Sequence, residues 1–138
     1  MLRNFLFIIV LLSFQACKFN GPDELTLLTN GTCLEWELVS CESNVEALNS
    51  NDNSNVLMRF CESGKGVITE NDNAIVISWH FEKKQTKNKL CWTDNSGEQY
   101  CYDVELLTKT KMVLVKDNKK TDDYKKRVVC TYKPLESF

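Results

Sequence analysis

The sequence predicts an all-β fold, an antiparallel up-and-down β-barrel of about eight strands following an N-terminal signal segment. Three observations predict it. Apolar side chains recur with a period of two over most of the chain, the pattern of strands buried on one face. Gly-, Asn- and Asp-rich clusters separate the runs. The runs also follow one another through short connections, and a meander of this kind escapes exposed sheet edges by closing on itself. At 138 residues one domain is expected.

The chain opens with Arg3 and the apolar run Phe5-Leu6-Phe7-Ile8-Ile9-Val10-Leu11-Leu12, too short to span a bilayer comfortably. It reads as a secretory signal over residues 1–16. Ser13-Phe14-Gln15-Ala16-Cys17 follows. It resembles the lipobox of bacterial lipoproteins in Ala16 and Cys17, and departs from it at Phe14 and Gln15. The resemblance implies lipidation of Cys17, which would become the mature N-terminus and tether the protein to a membrane. The seven cysteines agree in parity. Setting Cys17 aside leaves Cys33, Cys41, Cys61, Cys91, Cys101 and Cys130, an even set suited to an oxidising compartment.

Residues 17–32 form a tether and short lead-in, with Asp23 to Leu28 able to make a helical turn or two before the Asn30-Gly31 stop. The barrel is expected over 33–134, with 135–138 as a tail. Leu34, Trp36 and Leu38 alternate with Glu35 and Glu37, and Val56, Met58 and Phe60 with polar neighbours. Ile75, Ile77, Trp79 and Phe81 make the next long run. Leu90 and Trp92, then Tyr100, Tyr102 and Val104, follow the same rule. Met112 and Leu114 share a face, and 127–132 is the last strand. Ser63 to Gly66, Asn71 to Asn73 and Asp94 to Gly97 mark reversals. Glu42 to Asn55 and Asp117 to Asp123 read as exposed loops.

The order of Trp36, Phe60 before a Gly turn, Trp79, Leu90-Cys91-Trp92 and a Tyr-rich strand resembles the lipocalin-like domain of small bacterial, Bacteroidota-type lipoproteins, over roughly residues 25–132. The resemblance implies an up-and-down barrel without catalytic machinery. The cysteine content is richer than that group suggests.

Cys91 and Cys101 flank the Asp94–Gly97 turn nearly symmetrically, so a cross-strand bridge between them is expected. The other four allow three pairings. First and last strands are neighbours in a closed barrel, which puts Cys130 near Cys33 or Cys41. By alternation Cys61, Cys91 and Cys101 fall on the polar face of their strands, and the six are expected to staple the barrel from its outer face.

Little points to catalysis. A net charge of −2 lacks the basic footprint of nucleic-acid binding, and no nucleophile-elbow or phosphate-loop motif is present. One histidine and the absence of any C-x-x-C pair argue against a metal site. His80 reads as a surface residue, and Glu35 and Glu37 as solvated strand positions. The lysines at 83, 84, 87 and 89, and the basic residues of 119–127, read as solvated faces able to meet anionic headgroups beside an anchored N-terminus. Asn30-Gly31-Thr32 matches the glycosylation sequon, a coincidence in a bacterial setting.

No catalytic residue, metal or cofactor is therefore expected. Trp36, Phe60, Trp79, Trp92, Tyr100 and Tyr102 share inward parity and are the candidates for lining a ligand site. A barrel of eight strands is wide enough to be packed by its own side chains or to hold one small ligand, and strands this short favour packing or a shallow mouth. The expected protein is exported and lipid-anchored at the cell envelope, on an outer-membrane or periplasmic face, or else secreted. It is expected to be non-enzymatic and to bind a small apolar or amphipathic ligand. The alternative is a surface interaction or inhibitor protein with a packed barrel, acting through its loops.

Overall fold

Helix α1 spans Glu24–Thr29. Eight strands follow: β1 Cys33–Ser43, β2 Val56–Cys61, β3 Lys65–Glu70, β4 Asn73–Glu82, β5 Lys89–Thr93, β6 Gln99–Leu107, β7 Met112–Asn118 and β8 Lys126–Pro134. These come from a computed structural model that describes residues 23–44, 55–118 and 126–135. Each strand pairs antiparallel with the next, and β8 returns to β1, so the sheet is a closed up-and-down barrel. The expected fold class is the observed one.

Closure follows from register. Trp36 lies opposite Met58 on β2 and Pro134 on β8, and Trp79 lies opposite Trp92. The bulky inward residues of neighbouring strands therefore meet side by side. Two irregularities bend the wall, between Leu38 and Ser40 on β1 and between Val104 and Leu106 on β6. Such bulges kink a strand and re-aim its side chains.

The turns obey local chemistry. Asn71 and Asp72 both take positive φ, 47° and 68°, as a two-residue hairpin between twisted strands requires. The Asp94 carboxylate accepts from Ser96 N at 2.8 Å, Ser96 Oγ at 2.6 Å and Glu98 N at 3.1 Å. Hydrogen bonding to the charged form, chiefly from the Ser96 side chain, holds its pKa below the ordinary carboxylate value. Gly66 answers to packing. A Cβ there would collide with the Arg59 carbonyl on β2 and crowd Ile77 on β4.

Helix α1 begins at Asp23, whose side chain accepts from Thr26 N at 2.8 Å, and ends at Asn30 in the left-handed conformation. It closes one end of the barrel. Leu28 is fully buried in the core with Trp36, Phe60, Leu90 and Met112. The Trp36 indole N–H donates to the Leu28 carbonyl at 2.9 Å, which satisfies a helix C-terminal carbonyl that would otherwise be orphaned in the core.

Candidate functional site

The six ligand-lining candidates face inward as expected, and they occupy the interior. Trp36 and Phe60 are 0% exposed, Trp92 6% and Trp79 7%. Phe60 meets Trp79 edge-on at 5.6 Å, and Trp79 meets Phe81 edge-on at 5.7 Å. These geometries suit the ring quadrupole. The Trp79 indole donates to the carbonyls of Cys61 and Lys65, each at 3.1 Å, which ties β4 to the β2–β3 turn. Trp36 and Trp79 thus spend their polar tips on the protein's own backbone.

Tyr100 and Tyr102 differ. Both are only half-buried, and with Trp92 they form a stack toward the end opposite α1. Trp92 lies 4.8 Å from Tyr102 with planes 12° apart, and 6.4 Å from Tyr100. The Lys116 ammonium sits 5.5 Å from the Tyr102 ring centroid and 5.8 Å from that of Tyr100, within cation–π range. Burial raises the Tyr102 pKa. Ile75 shares the inward parity yet is 46% exposed, so this end is a shallow, partly open rim. Lys116 was missed in the sequence because a lysine at an inward parity looks like the end of a strand. Its alternation with Met112 and Leu114 was the available signal.

Among the described residues, two concavities lie on the outer wall. One, about 380 Å³, is lined by Lys84, Thr86, Lys87, Lys89, Cys101, Asp103, Val115 and Lys116. The other, about 140 Å³, is lined by Glu35, Leu57, Arg59, Val67 and Thr69. In the first, Lys89 pairs with Asp103 at 3.4 Å, and Lys87 beside it pairs with Glu105 at 2.6 Å. The Lys87 hydrogen bond and charge hold Glu105 below its ordinary pKa.

All six remaining cysteines are paired: Cys33 with Cys61, Cys41 with Cys130, and Cys91 with Cys101. Each pair joins residues directly opposite on neighbouring strands. The expected Cys91–Cys101 bridge is present, and the choice between Cys33 and Cys41 for Cys130 falls to Cys41. The expectation of an outer-face location for all six is corrected for one pair. Cys130 shares the parity of Tyr132 and packs in the core, because the bulge at Leu38/Ser40 shifts the phase of β1 and turns Cys41 toward it. Cys41 itself lies exposed at the rim. Cys91 is on the outer face but fully buried.

His80 is exposed and 3.5 Å from Glu82. The two lie with Cys91 Sγ within 4.8 Å of one another, a spacing suited to a metal. That sulfur is bonded to Cys101 and offers no thiolate. Glu35 and Glu37 face outward, and Glu37 pairs with Lys133 at 3.2 Å. Cys17, most of the 42–55 loop and 119–125 lie outside the described residues.

Fold and site define a class: a small β-barrel closed by eight strands, stapled by three disulfides, and filled by its own aromatic side chains. Three disulfides fit an oxidising, non-cytoplasmic compartment. Among the described residues no helix is long and apolar enough to cross a membrane. Neither a family model, a curated protein nor a solved structure matches the chain.

Proposed function

We propose that this chain is an exported, lipocalin-like envelope protein, tethered by a lipid on Cys17, which acts by surface recognition with a packed barrel and performs no catalysis. The observation that carries the reading is the filled interior. Trp36, Phe60, Leu90 and Met112 are all 0% exposed, and side chains at native packing density leave no room for a ligand among them. Recognition then falls to the rim, the loops and the outer wall. The test is titration of the oxidised protein with an apolar fluorescent fatty-acid analogue, read by tryptophan quenching and native mass spectrometry. No stoichiometric complex is expected. Saturable one-to-one binding that Trp36→Phe abolishes in a folded variant would refute the packed-barrel reading.

The rim favours a second reading. Stacked Trp92 and Tyr102 beneath Lys116 offer a planar face beside a positive charge, suited to an anionic amphipathic molecule held at the mouth. Quenching by such a compound, lost in Lys116→Gln and retained in Trp36→Phe, would select this reading over the first. Anchoring is tested separately by the intact mass of the envelope-extracted protein. A diacyl or triacyl adduct on Cys17 is expected, and an unmodified Cys17 would refute the anchor.

A further inference from the structure

We propose that the α1 end of the barrel is a docking surface for anionic phospholipid headgroups, seating the protein with that end against the membrane. The proposal takes its setting from the lipid anchor at Cys17, and its chemistry from charge placement within the fold.

Strands alternate in direction, so the connections divide into two sets. Helix α1, the β2–β3 turn, residues 83–88 and residues 108–111 lie at one end. The 71–72 and 94–98 turns lie at the other, with the end of β1, the start of β2, the end of β7 and the start of β8. Charge is divided unevenly between them. Lys83, Lys84, Lys87 and Lys89 follow one another with no intervening carboxylate, and Lys109 and Lys111 occupy the next connection on the same end. The 71–72 and 94–98 turns and their flanks carry Glu70, Asp72, Asp94 and Glu98 and no basic residue, while Lys126 and Arg127 open β8 at that end, Arg127 in register with Asp117 on β7. The net charge of −2 conceals this polarity.

The two lysine-bearing segments are neighbours. Lys87 bonds to Glu105 on β6, and Val104 N donates to the Asn88 carbonyl at 2.9 Å, which lays 83–88 against the strand that runs into 108–111. The acids at this end are largely engaged. Asp23 caps α1, Glu24 accepts from Asn88, Glu82 faces His80, and Asp103 and Glu105 hold Lys89 and Lys87. Glu62 on the β2–β3 turn is exposed and subtracts one charge. Among the described residues no ion pair neutralises Lys83, Lys84, Lys109 or Lys111.

The chain places this end at the bilayer. The Glu24–Asn88 hydrogen bond fixes the start of α1 beside the lysine segment. The seven residues from Cys17 to Glu24 reach at most about 25 Å fully extended. A lipid on Cys17 therefore holds the basic end within a few Debye lengths of the headgroups, each roughly 10 Å in 0.1 M salt. Basic residues near an anionic leaflet each strengthen partitioning about fivefold.

The experiment uses the oxidised chain from residue 17 carrying Cys17→Ser, so that no lipid attaches, in sedimentation with vesicles at low salt. Binding to phosphatidylglycerol-containing vesicles and none to pure phosphatidylcholine is expected. K83Q/K84Q and K109Q/K111Q should each weaken it about 25-fold, with unchanged thermal melts. K126Q/R127Q at the far end should leave it unchanged, and a loss as large as that of the lysine pairs overturns the assignment to the α1 end. Equal binding to both vesicle types, no binding to either, or indifference to the lysine pairs overturns the proposal. Failure of the anchor is read independently from the intact mass. An acylated Cys17 with no vesicle binding sinks the docking surface alone. An unmodified Cys17 with lysine-dependent binding sinks the anchor alone.

Discussion

Removing the three disulfides one at a time should destabilise the barrel in a definite order. The bridges close spans of 89, 28 and 10 residues, for Cys41–Cys130, Cys33–Cys61 and Cys91–Cys101. Chain-closure entropy gives about 4.6, 3.6 and 2.7 kcal/mol for loops of those lengths. In the native protein the other two bridges shorten the path between Cys41 and Cys130. Because the dependence is logarithmic, the figure falls only to about 4.4 kcal/mol.

Packing works in the opposite order. Cys91 is fully buried and Cys41 is exposed, so deleting sulfur atoms costs more at the hairpin, by about 1 kcal/mol. Closure should win, because its spread exceeds that term. The assay is guanidinium unfolding of the three double Cys→Ala variants under non-reducing conditions, with the surviving bridges checked by peptide mapping. C41A/C130A is expected to lose the most and C91A/C101A the least. Should C91A/C101A lose as much as C41A/C130A, the argument from unfolded-chain entropy fails for this barrel.

Gly66→Ala should destabilise by about 1–3 kcal/mol, because the new Cβ meets the Arg59 backbone carbonyl; an unchanged thermal midpoint would refute the steric argument. Trp36→Phe should cost about 2–4 kcal/mol, since it leaves the buried Leu28 carbonyl without its donor and removes indole packing; amide exchange should show α1 losing protection first. Burial raises the Tyr132 pKa above its ordinary value of 10.0, so the stabilisation it brings is full below pH 10 and lost as the pH rises further. Absorbance titration should show Tyr132 ionising only with unfolding, and reversible ionisation in the folded state would contradict this. Asp23 and Asp94 are held below their ordinary pKa by hydrogen bonds to Thr26 and Ser96. Their contribution is present above about pH 4 and disappears as the pH falls through the lowered values, so urea midpoints should decline in acid. Asp23→Asn with Asp94→Asn should flatten that decline.

Much of the barrel was legible because its information is local. Alternation tells which face of a strand is apolar, and it placed Trp36, Phe60, Trp79, Trp92, Tyr100 and Tyr102 inward without any knowledge of neighbours. Asn71-Asp72 and Asp94 to Gly97 declare their turns through residues that tolerate positive φ or bond their own backbone. The Cys91–Cys101 bridge was visible for the same reason, since two cysteines placed nearly symmetrically about a short turn meet by hairpin geometry alone.

What stayed hidden depends on registers between strands far apart in the chain. The phase of β1 inverts at the Leu38/Ser40 bulge, and a bulge is a property of the β1–β8 pairing rather than of either segment. The expectation that all six cysteines staple the outer face therefore missed that the pairing of Cys41 with Cys130 reaches into the core. The filling of the interior was likewise undecidable from composition, because inward aromatics can line a cavity or pack it. The choice came from α1 seating Leu28 over one end and from the indoles donating to backbone carbonyls. By itself the sequence determined the strands, the turns, the hairpin bridge and, through Arg3 to Cys17, an expected envelope address. Only the tertiary structure decided which cysteines close the barrel, that its interior is occupied, and that Lys83, Lys84, Lys87, Lys89, Lys109 and Lys111 share the α1 end. Local periodicity specifies faces, and only the closing of β8 onto β1 specifies which faces meet.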